Sequence, residues 1–399
     1  MSKTVLSHLG LLLIFALVAR ASMAVKSVVL PLHLADQAFS PVEIGLVIGI
    51  GNVIAMFFSP WAGVISSRIP RRMLLLVSSL SIGVCLMLFS VTGSLVSALL
   101  VAIFLAISTT FLRLVLILRA ADFDSRRASA IGLLNTVNSL ATGLGSVLAG
   151  WVADKKGYAI AFPLCALPLM VMSTITVIFG GKKLTEGEKP NDSQTNSPIM
   201  SMALQTPKRI SLPMLFLMCD MGMTVAWRTF LPIHLVNSLG WSVTLVGGLI
   251  AAQNILYSLC QPLSAYLADR IGYKPLLVVG LSTYGVLISL IPLMTNTLSI
   301  YGLILLTSIF ASPIYPTSLA LAADISSKDE RGTAMGFMMA SSNLAGALGP
   351  SIAGLIVSVA AVPSAGFAYC FIPALLVGLI GRLFLNKSVS QSHNQEVNV

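Results

Sequence analysis

The sequence predicts an all-α integral membrane protein with twelve transmembrane helices in two pseudo-symmetric six-helix bundles. Three observations carry this. First, of 399 residues only 10% are charged and 56% are hydrophobic, with a mean hydropathy of +0.92. Water-soluble domains hold about 25% charged and about 45–50% apolar residues. Second, a bilayer core of about 30 Å needs about 20 helical residues, and apolar runs of that length recur along the chain on either side of one long polar break. Third, the two flanking halves repeat each other in sequence.

The first apolar run covers 5–34, directly after Met1-Ser2-Lys3. It is too long for the core of a signal peptide and reads as the first membrane helix. Spans 43–66, 73–91, 96–119, 128–152 and 159–181 complete an N-terminal bundle over residues 1–181. The polar break, 182–209, contains Gly187, Pro190, Asn191 and Asp192 and reads as a flexible cytoplasmic linker. Spans 211–236, 243–267, 275–294, 298–322, 333–359 and 364–385 follow, in a C-terminal bundle over 210–387. The polar residues 388–399 are expected to form a disordered cytoplasmic tail.

The net charge of +10 would suggest a nucleic-acid partner in a soluble protein. Here the position of the charges explains it. The termini and even-numbered connections carry 18 Lys and Arg residues, and the odd-numbered connections carry only Lys155 and Lys156. Positive charge marks the cytoplasmic side. Both termini are therefore expected in the cytoplasm, with the chain multi-pass in a bacterial inner membrane and no nucleic acid as partner. The five cysteines lie inside apolar runs without CxxC spacing, and there is no HExxH or GxxxxGK[ST] motif. No metal, no cofactor, no enzymatic site and no ATP-driven pump is expected.

The repeat has an offset of 201 to 204 residues. Leu30-Pro31-Leu32-His33-Leu34 matches Leu231-Pro232-Ile233-His234-Leu235, and Asn52 matches Asn254. Arg127, Gly132, Gly145 and Gly150 match Arg331, Gly336, Gly349 and Gly354. Both halves begin on the same side, so they are parallel repeats about an axis along the membrane normal. His33 and His234 are expected to anchor matched Pro-containing turns. Pro313 and Pro316, on either side of Tyr315, predict a kink in span 10.

With these residues in place, the chain resembles the major facilitator superfamily over nearly its whole length. The family's loop signature, roughly G-x-L-x-D-R-x-G-[RK]-[RK], lies after the second helix of each half. The second half reads Ala265-Tyr266-Leu267-Ala268-Asp269-Arg270-Ile271-Gly272-Tyr273-Lys274. The first half reads Gly63-Val64-Ile65-Ser66-Ser67-Arg68-Ile69-Pro70-Arg71-Arg72, with Ser67 in place of the acid and Pro70 in place of the second Gly. The resemblance implies a cytoplasmic gate built from Gly63, Arg68, Arg71, Arg72, Asp269, Arg270, Gly272 and Lys274, with Asp269 at a helix N-terminus of the other half and a weaker lock at Ser67. Span 5 also resembles the family's antiporter motif through Gly132, Gly145 and Gly150, without its Pro. Small residues at that spacing serve equally for close helix packing.

Five ionisable residues fall within the spans: Arg20 and Lys26 in span 1, Arg113 in span 4, Asp220 and Arg228 in span 7. Each costs about 2.5–3.5 kcal/mol at a helix centre on insertion scales, so each needs water, a partner or a ligand. The resemblance implies that helices 1, 4, 7 and 10 line a central cavity. In the repeat, Arg20 matches Met221 beside Asp220, Lys26 matches Trp227 beside Arg228, and Arg113 matches Tyr315. An Arg20–Asp220 pair would leave three cations uncompensated. Arg20, Lys26, Arg113, Arg228 and Tyr315 are therefore candidates for binding a small organic anion, a carboxylate-type metabolite or siderophore ahead of a phosphate ester. The bland alternative is that some cations, Lys26 first, snorkel to the interface. Asp220 is the one acid inside the membrane and is read either as a proton carrier or as half of a fixed ion pair.

The expected function is secondary active transport of that anion by alternating access, with protons as the coupling partner and the protein a monomer in the lipid bilayer. A multidrug efflux proton antiporter is the alternative of the same class, and a non-transporting membrane receptor or scaffold is the alternative of another class.

Overall fold

A computed structural model describes residues 3–121, 127–179, 210–326 and 331–379. The linker 182–209 and the tail 388–399 lie outside the described residues. Among the described residues, nine helices are long and apolar enough to cross a membrane. Two shorter apolar helices, Met73–Phe89 and Pro363–Leu379, and the more polar helix Arg127–Lys156 stand at the three remaining expected positions. A chain in hydrocarbon must satisfy its backbone groups internally, and helices do this segment by segment.

Twelve helices are labelled in chain order. α1 is broken at Ala24 into Lys3–Met23 and Val25–Asp36. Then come α2 (Pro41–Arg68), α3 (Arg71–Phe89), α4 (Leu95–Ala121), α5 (Arg127–Lys156) and α6 (Tyr158–Phe179). The second half comprises α7 (Ser211–Ile233), α8 (Val243–Ile271), α9 (Tyr273–Ser289), α10 (Thr297–Ala311 and Ile314–Ile325), α11 (Arg331–Ala360) and α12 (Pro363–Leu379).

Local chemistry sets several of the boundaries. α2 starts with a capping box. The Glu43 N–H donates to the Ser40 hydroxyl at 3.3 Å, and the Ser40 N–H donates to the Glu43 carboxylate at 2.7 Å. α10 divides at Ser312–Pro313, where two prolines remove backbone donors, as the sequence predicts. The break in α1 is different. Proline 31 sits inside the continuous stretch Val25–Asp36, and the interruption lies seven residues earlier at Ala24, where the N–H turns back to the Ala21 carbonyl at 3.2 Å. The Ser27 N–H and hydroxyl both donate to the Ala24 carbonyl, at 3.0 and 2.8 Å. α7 runs on past Pro232 into a single π-turn, His234–Ser238.

The described chain falls into two compact units, one drawn from Met1–Ser197 and Arg228–Ile255, the other from Pro198–Trp227 and Leu256–Val399. In the first unit α1 packs on α5 and α6, α4 packs on α2 and α3, and α3 packs on α6. In the second, α9 packs on α10 and α12, and α11 packs on α10 and α12. The pairings α3–α4, α3–α6, α4–α5 and α5–α6 thus recur as α9–α10, α9–α12, α10–α11 and α11–α12. His33 is buried in the first unit, its ring edge-on to Phe162 at 5.3 Å and its Nε2 3.1 Å from the Phe89 carbonyl oxygen.

Glycines that repeat lie at close backbone contacts between helices. A Cβ on Gly145 of α5 would come 2.3 Å from the Ala21 carbonyl oxygen of α1. A Cβ on Gly349 of α11 would come 2.2 Å from the Gly222 carbonyl oxygen of α7. Gly145 and Gly349 are equivalent in the repeat, and so are Ala21 and Gly222, so one backbone contact is built twice. Gly150 of α5 meets the Val243 carbonyl, and Gly247 of α8 meets the Ser146 carbonyl; added Cβ atoms would stand 2.4 and 2.3 Å from them. The small residues of span 5 therefore serve close backbone approach.

Candidate functional site

Three of the five charges within the spans gather in the first unit around α1 and α4. Arg20 is half-buried on α1, and the guanidinium of Arg113 on α4 lies within coulombic range of it. Arg113 is exposed. Lys26 lies six residues further along α1. Its ammonium reaches α2 and stands 3.8 Å from where a Cβ of Gly51 would be, with the Ala106 methyl of α4 at the same distance from that point. Among the described residues, no hydrogen bond or ion pair is formed by Arg20, Lys26 or Arg113.

Arg228 belongs to the same compact unit and is held differently. Its guanidinium donates to the Gln253 side-chain oxygen and, at 3.2 Å, to the Asn254 side-chain oxygen, both on α8. The Asn254 amide in turn donates to the Ile250 carbonyl at 2.8 Å. Neutral amides thus orient the guanidinium.

The remaining two candidates lie in the second unit. Asp220 is buried on α7, 6% exposed. Tyr315, half-buried on α10, packs against an apolar cluster of Ile210, Leu217, Ala322, Ala334 and Met338. Its hydroxyl points at the Met339 sulfur at 3.7 Å, a weak acceptor. The position equivalent to Lys26 is Trp227, which is fully buried. Its indole N–H donates to the Tyr284 hydroxyl at 2.7 Å, and that hydroxyl is 2.8 Å from Thr224. The residue matching Tyr284 in the first half is Ile82, so no phenol stands there to meet Lys26.

In the signature loop, Gly272 has φ +89°, a left-handed value that favours glycine, and its N–H closes the end of α8 on the Ala268 carbonyl at 3.0 Å. The first-half loop has Pro70 at φ −54° after an extended Ile69 and ends α2 by another route. The Arg270 guanidinium lies over the Tyr266 ring at 4.8 Å, a cation–π contact, and Lys274 is exposed. The side-chain positions of Arg68, Arg71, Arg72 and Asp269, and the surroundings of Gly63, lie outside the described residues.

Sequence reasoning missed Asp154. At the end of α5 its carboxylate accepts hydrogen bonds from the backbone N–H groups of Val243 and Thr244, both at 2.8 Å, and from the Thr244 hydroxyl at 2.5 Å. It caps the first turn of α8, where the helix dipole and free N–H groups favour a carboxylate. The partners are 89 and 90 residues away, so no local pattern announces them.

The chain matches the family model described as Major Facilitator Superfamily twice, over residues 12–228 and 213–398. An uncharacterised MFS-type transporter of Methanocaldococcus jannaschii is 21% identical over 354 residues, 86% of this chain and 89% of that protein. Multidrug resistance protein 1 of Bacillus subtilis is 29% identical over 163 residues, 41% of each chain. Two solved structures share the fold. The nucleoside transporter NupG has a TM-score of 0.80 at 14% identity, with 94% of this chain and 99% of that one covered. A bacterial homologue of the human lysosomal transporter Spinster, in an inward-facing and unoccupied conformation, has a TM-score of 0.75 at 15% identity, with 97% and 98% covered.

Proposed function

Because the chain belongs to the Major Facilitator Superfamily and is a membrane transport protein, we propose that its cargo is a small organic anion, carried by alternating access and coupled to protons. One observation carries the reading. Arg20, Lys26 and Arg113 sit within membrane spans of one compact unit, and none of the three forms a hydrogen bond or ion pair with another described residue. Cations at that depth are costly unless something negative arrives, and a guanidinium grips a carboxylate or phosphate through two parallel hydrogen bonds. Arg228, fixed by Gln253 and Asn254, supplies a further oriented cation. Carboxylates rank ahead of phosphate esters.

Asp220 is the proposed proton carrier, a buried carboxyl in a span. The proposed gate is the signature loop with Asp269 and Arg270, and the bias of Lys and Arg supports a cytoplasmic position for both termini. A screen of the purified protein by thermal shift against anionic, neutral and cationic compounds tests the cargo. Stabilisation by carboxylates, reduced in Arg20→Gln and Arg113→Gln, supports the reading. Stabilisation by lipophilic cations alone overturns it. Concentration of cargo by Asp220→Asn under a proton gradient removes Asp220 from the coupling.

The similarity to Multidrug resistance protein 1 over 41% of the chain favours a second reading, efflux of chemically unrelated compounds. That reading predicts resistance to several unrelated toxins, insensitive to loss of Arg20 or Arg113.

A further inference from the structure

One segment of the second half packs with the first. Residues Arg228–Ile255, the end of α7 and the start of α8, belong to the same compact unit as α5. There α5 and α8 meet along one face. Gly143 faces Ala251, Gly247 faces the Ser146 carbonyl, and Gly150 faces the Val243 carbonyl. Cβ atoms added to these glycines would stand 3.4, 2.3 and 2.4 Å from the opposing backbone. Gly143, Ser146 and Gly150 are three or four residues apart and so share a face of α5. Asp154 is the next position on that face. Its carboxylate takes the Val243 and Thr244 N–H groups and the Thr244 hydroxyl.

The glycines supply fit, and Asp154 adds directed, charge-assisted hydrogen bonds. α8 does not need them to begin. Ser242 already caps it, accepting from the Leu245 N–H at 3.2 Å. Asp154 is exposed. On separation its carboxylate and the released N–H groups would regain water, so the contact can be made and broken at small net cost. The repeat holds no second copy. Where α8 has Val243, α2 has Pro41, which lacks an N–H. Where α8 has Leu245, α2 has Glu43, which closes a capping box locally.

We propose that Asp154 is a releasable latch, holding the start of α8 on α5 in one state of the transport cycle and letting go in the other. This rests on the alternating-access reading above. Rocking of two bundles changes contacts between a first-half helix and a second-half helix, and α5 with α8 is such a contact.

The test is hydrogen–deuterium exchange, followed by mass spectrometry, on the full-length protein in lipid nanodiscs. A latch sets a balance between two states, so its loss acts at both ends of the helices it joins. Asp154→Ala is expected to speed exchange about tenfold or more over 143–152 and 243–251, the tenfold corresponding to about 1.4 kcal/mol. It is expected to slow exchange over 127–134 and 264–271, at the opposite ends of α5 and α8. Thr244→Val, which loses only the hydroxyl bond, is expected to give the same pattern at smaller size. Ser242→Ala is expected to speed exchange in the first turn of α8 alone. Gly150→Ala pushes the two backbones apart with Asp154 in place and is expected to reproduce the two-ended pattern. If Asp154→Ala speeds exchange only in the first turn of α8 while Gly150→Ala gives the two-ended pattern, Asp154 is a helix cap and no latch, and alternating access stands. A two-ended pattern in neither variant overturns both.

Discussion

The two halves of this protein are alike where backbones meet and unlike where charges lie. Gly145 sits on the Ala21 backbone and Gly349 on the Gly222 backbone, with added Cβ atoms 2.3 and 2.2 Å from the opposing carbonyl oxygens. A few residues away the likeness ends. The first half has Arg20, Lys26 and Arg113; the second has Met221, Trp227 and Tyr315 at the matching positions. Trp227 and Tyr284 satisfy each other, and Tyr315 lies on an apolar cluster. Repetition preserves what the fold needs, and the departures from it mark what this chain does in particular.

The largest expected effect comes from breaking the shared feature. Gly145→Leu and Gly349→Leu each force backbones apart. Overpacking of a tight core costs about 1–3 kcal/mol for a few added methylenes, and here the obstruction is backbone. Both variants are expected to lose a monodisperse peak in fluorescence-detected size exclusion. A normal peak for either would show that the crossing is not needed for folding.

The next effect separates the halves. Arg20→Ala and Arg113→Ala are expected to weaken anion binding about tenfold to a hundredfold, from charged hydrogen bonds worth about 1.5–3 kcal/mol each. Tyr315→Phe is expected to change it less than about twofold, since the hydroxyl has only a weak sulfur acceptor. Isothermal titration on the three variants checks the contrast, and a larger loss in Tyr315→Phe than in the Arg variants would reverse it.

A smaller effect concerns two helix starts. α2 is capped by its own Ser40 and Glu43, whereas α8 draws on Asp154 from α5. The residue matching Asp154 in α11 is Ser358, so the cap has no twin. Asp154→Ala is expected to cost about 0.5–2 kcal/mol, read as a lower melting temperature. Ser358→Ala is expected to leave the melting temperature in place.

The smallest effect is at the Trp227–Tyr284 hydrogen bond of the second half. Tyr284→Phe leaves the Trp227 N–H without this acceptor and is expected to cost about 1 kcal/mol of stability with anion binding unchanged. A loss of binding there would draw the second half into the site.

The helices were largely legible in the sequence because each must supply a long apolar run, and the kink of α10 was legible because proline lacks a donor. The break of α1 at Ala24 was not. No Gly or Pro marks it, and Pro31, which suggests a break, lies in unbroken helix. The π-turn after Pro232 was equally silent. Among site residues, the charges announced themselves by depth alone. Their partners did not, since Arg228 finds Gln253 and Asn254 across a helical hairpin and Asp154 finds α8 through tertiary folding. The glycines of span 5 were readable as packing or as an exporter motif, and contact of Gly145 and Gly150 with the Ala21 and Val243 backbones identifies a packing role.

The central claim is that the cations of the first half carry an organic anion. Its most direct test is exchange of a radiolabelled carboxylate, chosen from the thermal-shift screen, into proteoliposomes holding the parent protein or Arg113→Gln. The account predicts saturable, cargo-dependent exchange by the parent and a loss of about tenfold or more in the variant at equal reconstitution. Equal exchange by the two proteins would contradict it.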